Sequence, residues 1–220
     1  MIYSSETAYS AAVPTAGFIL ELAADSTCQV RVRLLDLLSK IARGPAPELG
    51  ADDAHPPGAE RWARAARDAV EAGMPTLLAL LDDADPAVRA AAAFVLADFP
   101  EHERSLIPVL RAKVHAETAP GAAASMVLAV GELTGEGDDP PDDPPVEWLT
   151  GLLAAGESRE VRAAAAIALL WCGIEEPPQV GTAIADEVAA AESGLDGQLW
   201  VSPGDRVGFL TSVLDAHPYA

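Results

Sequence analysis

Residues able to do chemistry are sparse in this sequence of 220 residues. His102-Glu103 puts a nitrogen donor next to an oxygen donor, which is a fragment of a metal site if further pairs complete the set. None of the other three histidines is followed by glutamate: His115 precedes Ala116, and His55 and His217 precede prolines. The expected role of the dipeptide is a surface helix start, where Glu101 and Glu103 meet the positive end of the helix dipole. The two cysteines, Cys28 and Cys172, lie in apolar helical contexts without metal-ligand spacing or a disulfide framework, and reduced buried thiols are expected. Gly135-Glu136-Gly137 is followed by four aspartates and four prolines, the wrong charge for a phosphate cradle. From these patterns we expect no catalytic residues, no metal and no cofactor.

Arg61, Arg64 and Arg67 recur every third residue and form a slanted basic stripe, extended by Arg31, Arg33, Lys40 and Arg43 of the preceding helix. Phosphate binding would have to rest on them. The competing use is pairing along the helix, Arg64 with Asp68 and Arg67 with Glu71. Charge favours pairing, because the chain has a formal net charge of −20 and residues 114–220 hold 3 basic against 18 acidic side chains. Such a field repels nucleic acid and anionic membranes, so neither is an expected partner, whereas a basic protein patch is attracted.

The elements that would position these residues are helical. Alanine, the best helix former, comes in blocks, and aromatic residues are only 5%. The segment Asp83 to Phe99, DADPAVRAAAAFVLADF, returns as Glu157 to Cys172, ESREVRAAAAIALLWC, with Val88-Arg89 moving 73 residues to Val161-Arg162. That shift accommodates two units of roughly 35 to 40 residues, the period of helical-repeat arrays. The expected architecture is one all-α domain over residues 1–220, built as a right-handed α-solenoid of about five helix pairs. The pairs span approximately 4–43, 58–99, 101–134, 145–173 and 177–216. Pro14 is expected to break a helix over 4–24, and the Pro-rich stretches 44–58 and 135–145 read as loops. Residues 194–203 are expected to fold Leu195, Leu199 and Trp200 back onto the last repeat. Of the four tryptophans, Trp62, Trp148 and Trp171 are expected to be buried on helices and Trp200 partly exposed. No basic leader or long apolar run marks an export signal or a membrane span, so a cytoplasmic location is expected.

The spacing of Pro75, Asp83 and Val88-Arg89 resembles the helix-A proline, turn aspartate and helix-B arginine of HEAT repeats. Asp25 and Arg31 repeat the six-residue interval. The sequence is similar to bacterial HEAT-like proteins carrying phycobilin-lyase-type repeats. This resemblance implies a hydrogen-bonded ladder between neighbouring repeats on Asp25, Arg31, Asp83 and Arg89, with Arg162 as its remnant in the fourth repeat. Ala122 stands where the interval from Pro108 calls for arginine, and Gly156 and Trp148 replace the aspartate and proline of repeat four. HEAT-like hydroxylases hold two irons with four His-Glu-type dipeptides, three more than this sequence has.

The resemblance implies a non-catalytic scaffold or adaptor holding a protein or peptide partner on a concave surface lined by the B helices, and the acidic charge of the chain makes a basic partner the expected one. The alternative it carries is a HEAT-like enzyme, either a pigment lyase or isomerase or an alkyl-base DNA glycosylase. Candidate contact residues are Trp171, at the end and edge of its helix, and Asp138, Asp139, Asp142 and Asp143 in the second acidic loop.

Overall fold

The structure, a computed structural model, describes residues 3–4, 7–8, 11–44, 59–136, 145–153, 157–173, 179–189 and 199–200. Among the described residues the fold is all-α apart from one small hairpin, and the chain divides into two compact units, Met1–Asp83 and Ala84–Ala220.

The hairpin opens the first unit. Strands β1 (Tyr3–Ser4) and β2 (Thr7–Ala8) pair antiparallel, with Tyr3 opposite Ala8. The helix expected from residue 4 therefore begins later, as α1 (Ala12–Ala24). Tyr, Ser and Thr are poor helix formers, and extended pairing uses their backbone groups instead. Pro14 consequently breaks nothing: it sits in the first turn of α1, where a missing N–H costs no helical bond.

Helix α2 (Arg31–Arg43) follows an Asp25–Val30 turn and stops at Gly44, whose φ of 72° is open to glycine without strain. Helices α3 (Ala59–Glu71) and α4 (Met74–Leu80) are separated by a break at Gly73. A Cβ at Gly73 would lie 2.1 Å from Leu20 Cδ2 and 3.1 Å from the Val70 carbonyl oxygen, so a larger residue at this corner would push the Leu20 side chain of α1 aside. Pro75 falls in the first turn of α4, one position from where a break would be needed. The apolar stripes Ala16, Ile19, Leu20 and Ala23 of α1 and Leu35, Leu38 and Ile41 of α2 meet Ala66 and Val70 of α3 in this unit's core.

The second unit is an α-solenoid. Its repeat signature forms α5 (Pro86–Ala97), capped by Asp85, whose carboxylate accepts from Ala87 N at 2.9 Å, with Pro86 pre-set at the first helical position. A 3-10 turn over Pro100–His102 leads into α6 (Glu103–Ala116), and α7 (Pro120–Glu136) returns against both α5 and α6. Helix α8 (Val146–Leu152) packs on α9 (Arg159–Trp171), which Ser158 caps by accepting from Val161 N. Gly173, at φ 71°, ends α9, and α10 (Gln179–Ala189) packs on it. The expected helix over 204–216, with Arg206, lies outside the described residues.

Helices α5, α7 and α9, the second helix of each pair, stand in a row with α7 between the other two. They are buried around their whole circumference, Ala163 through Leu170 without any exposure. A helix apolar all round is a fully buried one, and runs of alanine let such helices approach closely. Helices α7 and α9 approach closely, because Gly131 and Gly135 face Ala168 and the Trp171 backbone.

Candidate interaction site

In two of the B helices, α2 and α5, an arginine of the first turn reaches for a carboxylate in the turn before the next B helix. In the first unit Arg31 is 7% exposed. Its Nη1 donates to Asp83 Oδ1 at 3.0 Å, its Nη2 donates to Asp83 Oδ2, and its Nε donates to the Ala23 carbonyl at 2.7 Å. This fork-to-fork pairing satisfies the guanidinium on two sides and joins two elements 52 residues apart. In the second unit Arg89 donates from Nε and Nη2 to the two carboxylate oxygens of Glu117, both at 2.6 Å. Glu117 Oε1 also accepts from the backbone N–H groups of Thr118 and Ala119 at 2.8 Å, closing the turn that ends α6. The Arg89 bonds hold the Glu117 carboxyl below the ordinary glutamate range, and burial opposes them.

Arg162 is placed differently from the other two arginines. Its Nη1 donates to the Glu157 carbonyl at 2.9 Å and its Nη2 lies 3.9 Å from Asp186 Oδ2 on α10. Asp25 is exposed and serves its own turn: its carboxylate accepts from Thr27 N at 2.9 Å and Thr27 Oγ1 at 2.8 Å, and these bonds lower its pKa. Glu117 is the functional residue that sequence reasoning missed.

If the Arg31–Asp83 pair joins these elements as its geometry suggests, Asp83→Ala should lose about 2 kcal/mol, since it strands a buried guanidinium. The exposed neighbour Asp82→Ala should lose under about 0.5 kcal/mol. Urea midpoints measure both, and equal midpoints would remove Asp83 from this role.

The basic stripe is spent on local structure at two of its three positions. Arg67 Nη1 donates to the Ala42 carbonyl at 3.2 Å, where a cation suits the C-terminus of α2, and Arg61 lies 4.6 Å from the Trp62 ring centroid. Cys28 and Cys172 are both free and half-buried rather than buried. Burial pushes the Cys172 thiol up to about 11, so little thiolate exists at neutral pH. Glu103 is not at the surface: it is 6% exposed at the start of α6.

All four tryptophans are half-buried, in place of the three buried ones expected. Trp148 lies under Arg111, 5.4 Å from the guanidinium carbon. Trp171 and Trp200 meet at a centroid distance of 5.9 Å, and Trp200 stands edge-on to Phe94 at 4.8 Å and 87°. The Trp200 indole N–H donates to Ser125 Oγ at 2.9 Å, and Ser125 donates its own proton to the Ala90 carbonyl at 2.8 Å. Trp200 therefore does not fold only onto the last repeat. It contacts side chains of α5, α7 and α9, reaching back to Phe94. Ser125 and Phe94 carried no polar or aromatic pattern that singled them out in the sequence. Asp138, Asp139, Asp142 and Asp143 lie outside the described residues, as do Asp52 and Asp53.

A row of helix pairs joined by arginine–carboxylate bonds at the turns defines a helical-repeat protein. Residues 74–170 match the family model for HEAT repeats, so this stretch of the chain is built of HEAT repeats. No curated protein and no solved structure matches the chain. Among the described residues no helix is long and apolar enough to cross a membrane.

Proposed function

We propose that this protein is a non-catalytic scaffold that binds a protein or peptide partner on the face of α5, α7 and α9 that its own Trp200 covers in this structure. The observation that carries this reading is the seating of Trp200. A residue carried outside any helix is gripped at once by side chains from all three B helices, with its ring packed and its N–H satisfied. A face that holds one polypeptide-borne ring in this way has the surface chemistry of peptide recognition: a large apolar contact and one placed polar group. The test is affinity capture from the native lysate, followed by hydrogen-exchange mapping of the purified complex. The reading expects a stoichiometric polypeptide that protects amides of α5, α7 and α9. A coloured or mass-shifted small molecule in place of a polypeptide would overturn it in favour of an enzyme.

We assign the acidic stretch containing Asp138, Asp139, Asp142 and Asp143 to the steering of a basic partner. Its support is the local concentration of charge in a half of the chain with only 3 basic side chains. Attraction of this kind acts on the association rate and is screened beyond about 8 Å at physiological ionic strength. Replacing all four aspartates with asparagine should slow association several-fold at low salt and flatten its salt dependence. An unchanged rate and slope would remove the acidic stretch from recognition.

A further inference from the structure

Ser125 is committed in one direction. Its hydroxyl proton goes to the Ala90 carbonyl at 2.8 Å, so toward Trp200 it can only accept. The residue is 1% exposed, and the indole N–H at 2.9 Å fills the remaining role. The site therefore presents a buried acceptor at a fixed point, with the Phe94 ring perpendicular to the occupying ring and the Trp171 ring tilted against it. A phenylalanine in the same place would keep the ring contacts and leave that acceptor unfilled, which is how a site tells an N–H-bearing ring from its plain analogue.

The residue filling the site is attached unlike the rest of the core. The α7 and α9 side chains beneath it belong to long helices and are almost wholly buried, Val127, Leu128 and Ala164 to Leu170 among them. Trp200 is half-buried, stands in a turn, and is separated from its hydrogen-bond acceptor by 75 residues of chain. An occupant presented from a turn on a half-buried side chain can be exchanged for another of the same chemistry.

We propose that the α5–α7–α9 face is a tryptophan-accepting peptide site occupied by the chain's own Trp200, and that the partner presents a tryptophan side chain that takes its place. The proposal rests on the scaffold reading above and adds to it the partner's chemistry and a self-occupied state. A tethered ring competes at millimolar effective concentration, so the site binds weakly until Trp200 is displaced or removed.

The experiment uses the full chain and a fluorescein-labelled synthetic peptide with the sequence of residues 195–205, read by fluorescence anisotropy. Trp200→Ala should bind the peptide at least about tenfold more tightly than the wild type does. The same peptide with phenylalanine for its tryptophan should bind Trp200→Ala about tenfold more weakly. Adding Ser125→Ala should abolish that preference. Trp200→Phe keeps a ring in place but lacks the N–H, and should still bind the tryptophan peptide several-fold better than the wild type. A Trp200→Ala protein that retains its helical circular dichroism and cooperative melt yet gains no affinity overturns the proposal. Loss of the cooperative melt in Trp200→Ala together with wild-type affinity in Trp200→Phe overturns it too, because the ring is then a core residue. A captured partner that binds wild type and Trp200→Ala equally leaves the scaffold reading standing and sinks the self-occupied site alone.

Discussion

Glu117→Ala is expected to cost about 3–5 kcal/mol, the loss seen when one member of a buried ion pair is removed. The Glu117 side chain is 4% exposed and that of Arg89 15%. Removing the carboxylate leaves a charge-assisted pair of bonds to Arg89 unmade and strands the N–H groups of Thr118 and Ala119. Glu117→Gln should recover part of the loss, because its amide oxygen can still accept one or two of these bonds. Acid should reproduce the effect in the wild type. The carboxyl titrates below its unfolded value of about 4.3, so its contribution is full above that pH and disappears as pH falls through the lower folded value. Urea unfolding at a series of pH values should show the wild-type advantage over Glu117→Gln shrinking below about pH 4.3. A difference independent of pH would show that the pair is not the source of the stability.

The rung at Glu117 was missed because the sequence pattern was sought inside each repeat, as an aspartate six residues before an arginine. Bonding runs between repeats, as the resemblance implied, and the arginine of one answers the acid of the next whether that acid is Asp or Glu. The useful register is the distance from the acid to the first residue of the following B helix. Asp83 precedes Pro86 by three residues and Glu117 precedes Pro120 by three, so the two acids are equivalent despite different types. Glutamate substitutes for aspartate because it still reaches the two backbone N–H groups of its own turn. The same register explains why the ladder is interrupted further on. Ala123 stands where α7 would carry its arginine, and Gly156 stands where the next acid would be. Both partners are missing together, so neither strands a charge, and burial of the helix row holds that junction instead.

Periodicity made the helices legible and misplaced their ends. Proline was one source of error, since Pro14 read as a break although it lies in a first turn, whereas the break expected near Gly73 is present. Trp171 was legible as an edge residue from the alanine stripe beside it. Its contact with Trp200 was not, because nothing local at Leu199-Trp200 fixes which of three helices a loop-borne ring will meet. Ser125 was hidden for a related reason: a serine within an apolar helix shows its purpose only when the Ala90 carbonyl and the Trp200 indole are both in place.

Gly131→Ala is expected to lose about 3 kcal/mol, the upper end of what overpacking a well-filled core costs. In an open helix position the same exchange gains about 0.5–1 kcal/mol, because alanine gives up less backbone freedom than glycine. Gly151, inside α8 with no atom within 4 Å of an added Cβ, supplies that control and should gain stability as alanine. At Gly131 the added carbon would lie 2.5 Å from Ala168 Cβ and 2.6 Å from Ala168 Cα, and 3.3 Å from the Trp171 ring. The obstructing atoms are mainly backbone and a first side-chain carbon, neither of which can rotate away. To restore an ordinary carbon–carbon separation of about 3.5–4.0 Å, α7 and α9 must move apart by on the order of 1 Å. That movement loosens the contacts of Val127, Leu128 and Ala164 in the same seam and shifts Trp171 against Trp200. The urea midpoint of Gly131→Ala should therefore fall while that of Gly151→Ala rises, with a change in tryptophan emission accompanying the first alone. Equal midpoints for Gly131→Ala and the wild type would mean that the helices are not held together at this glycine, and that the position of Trp171 does not depend on it.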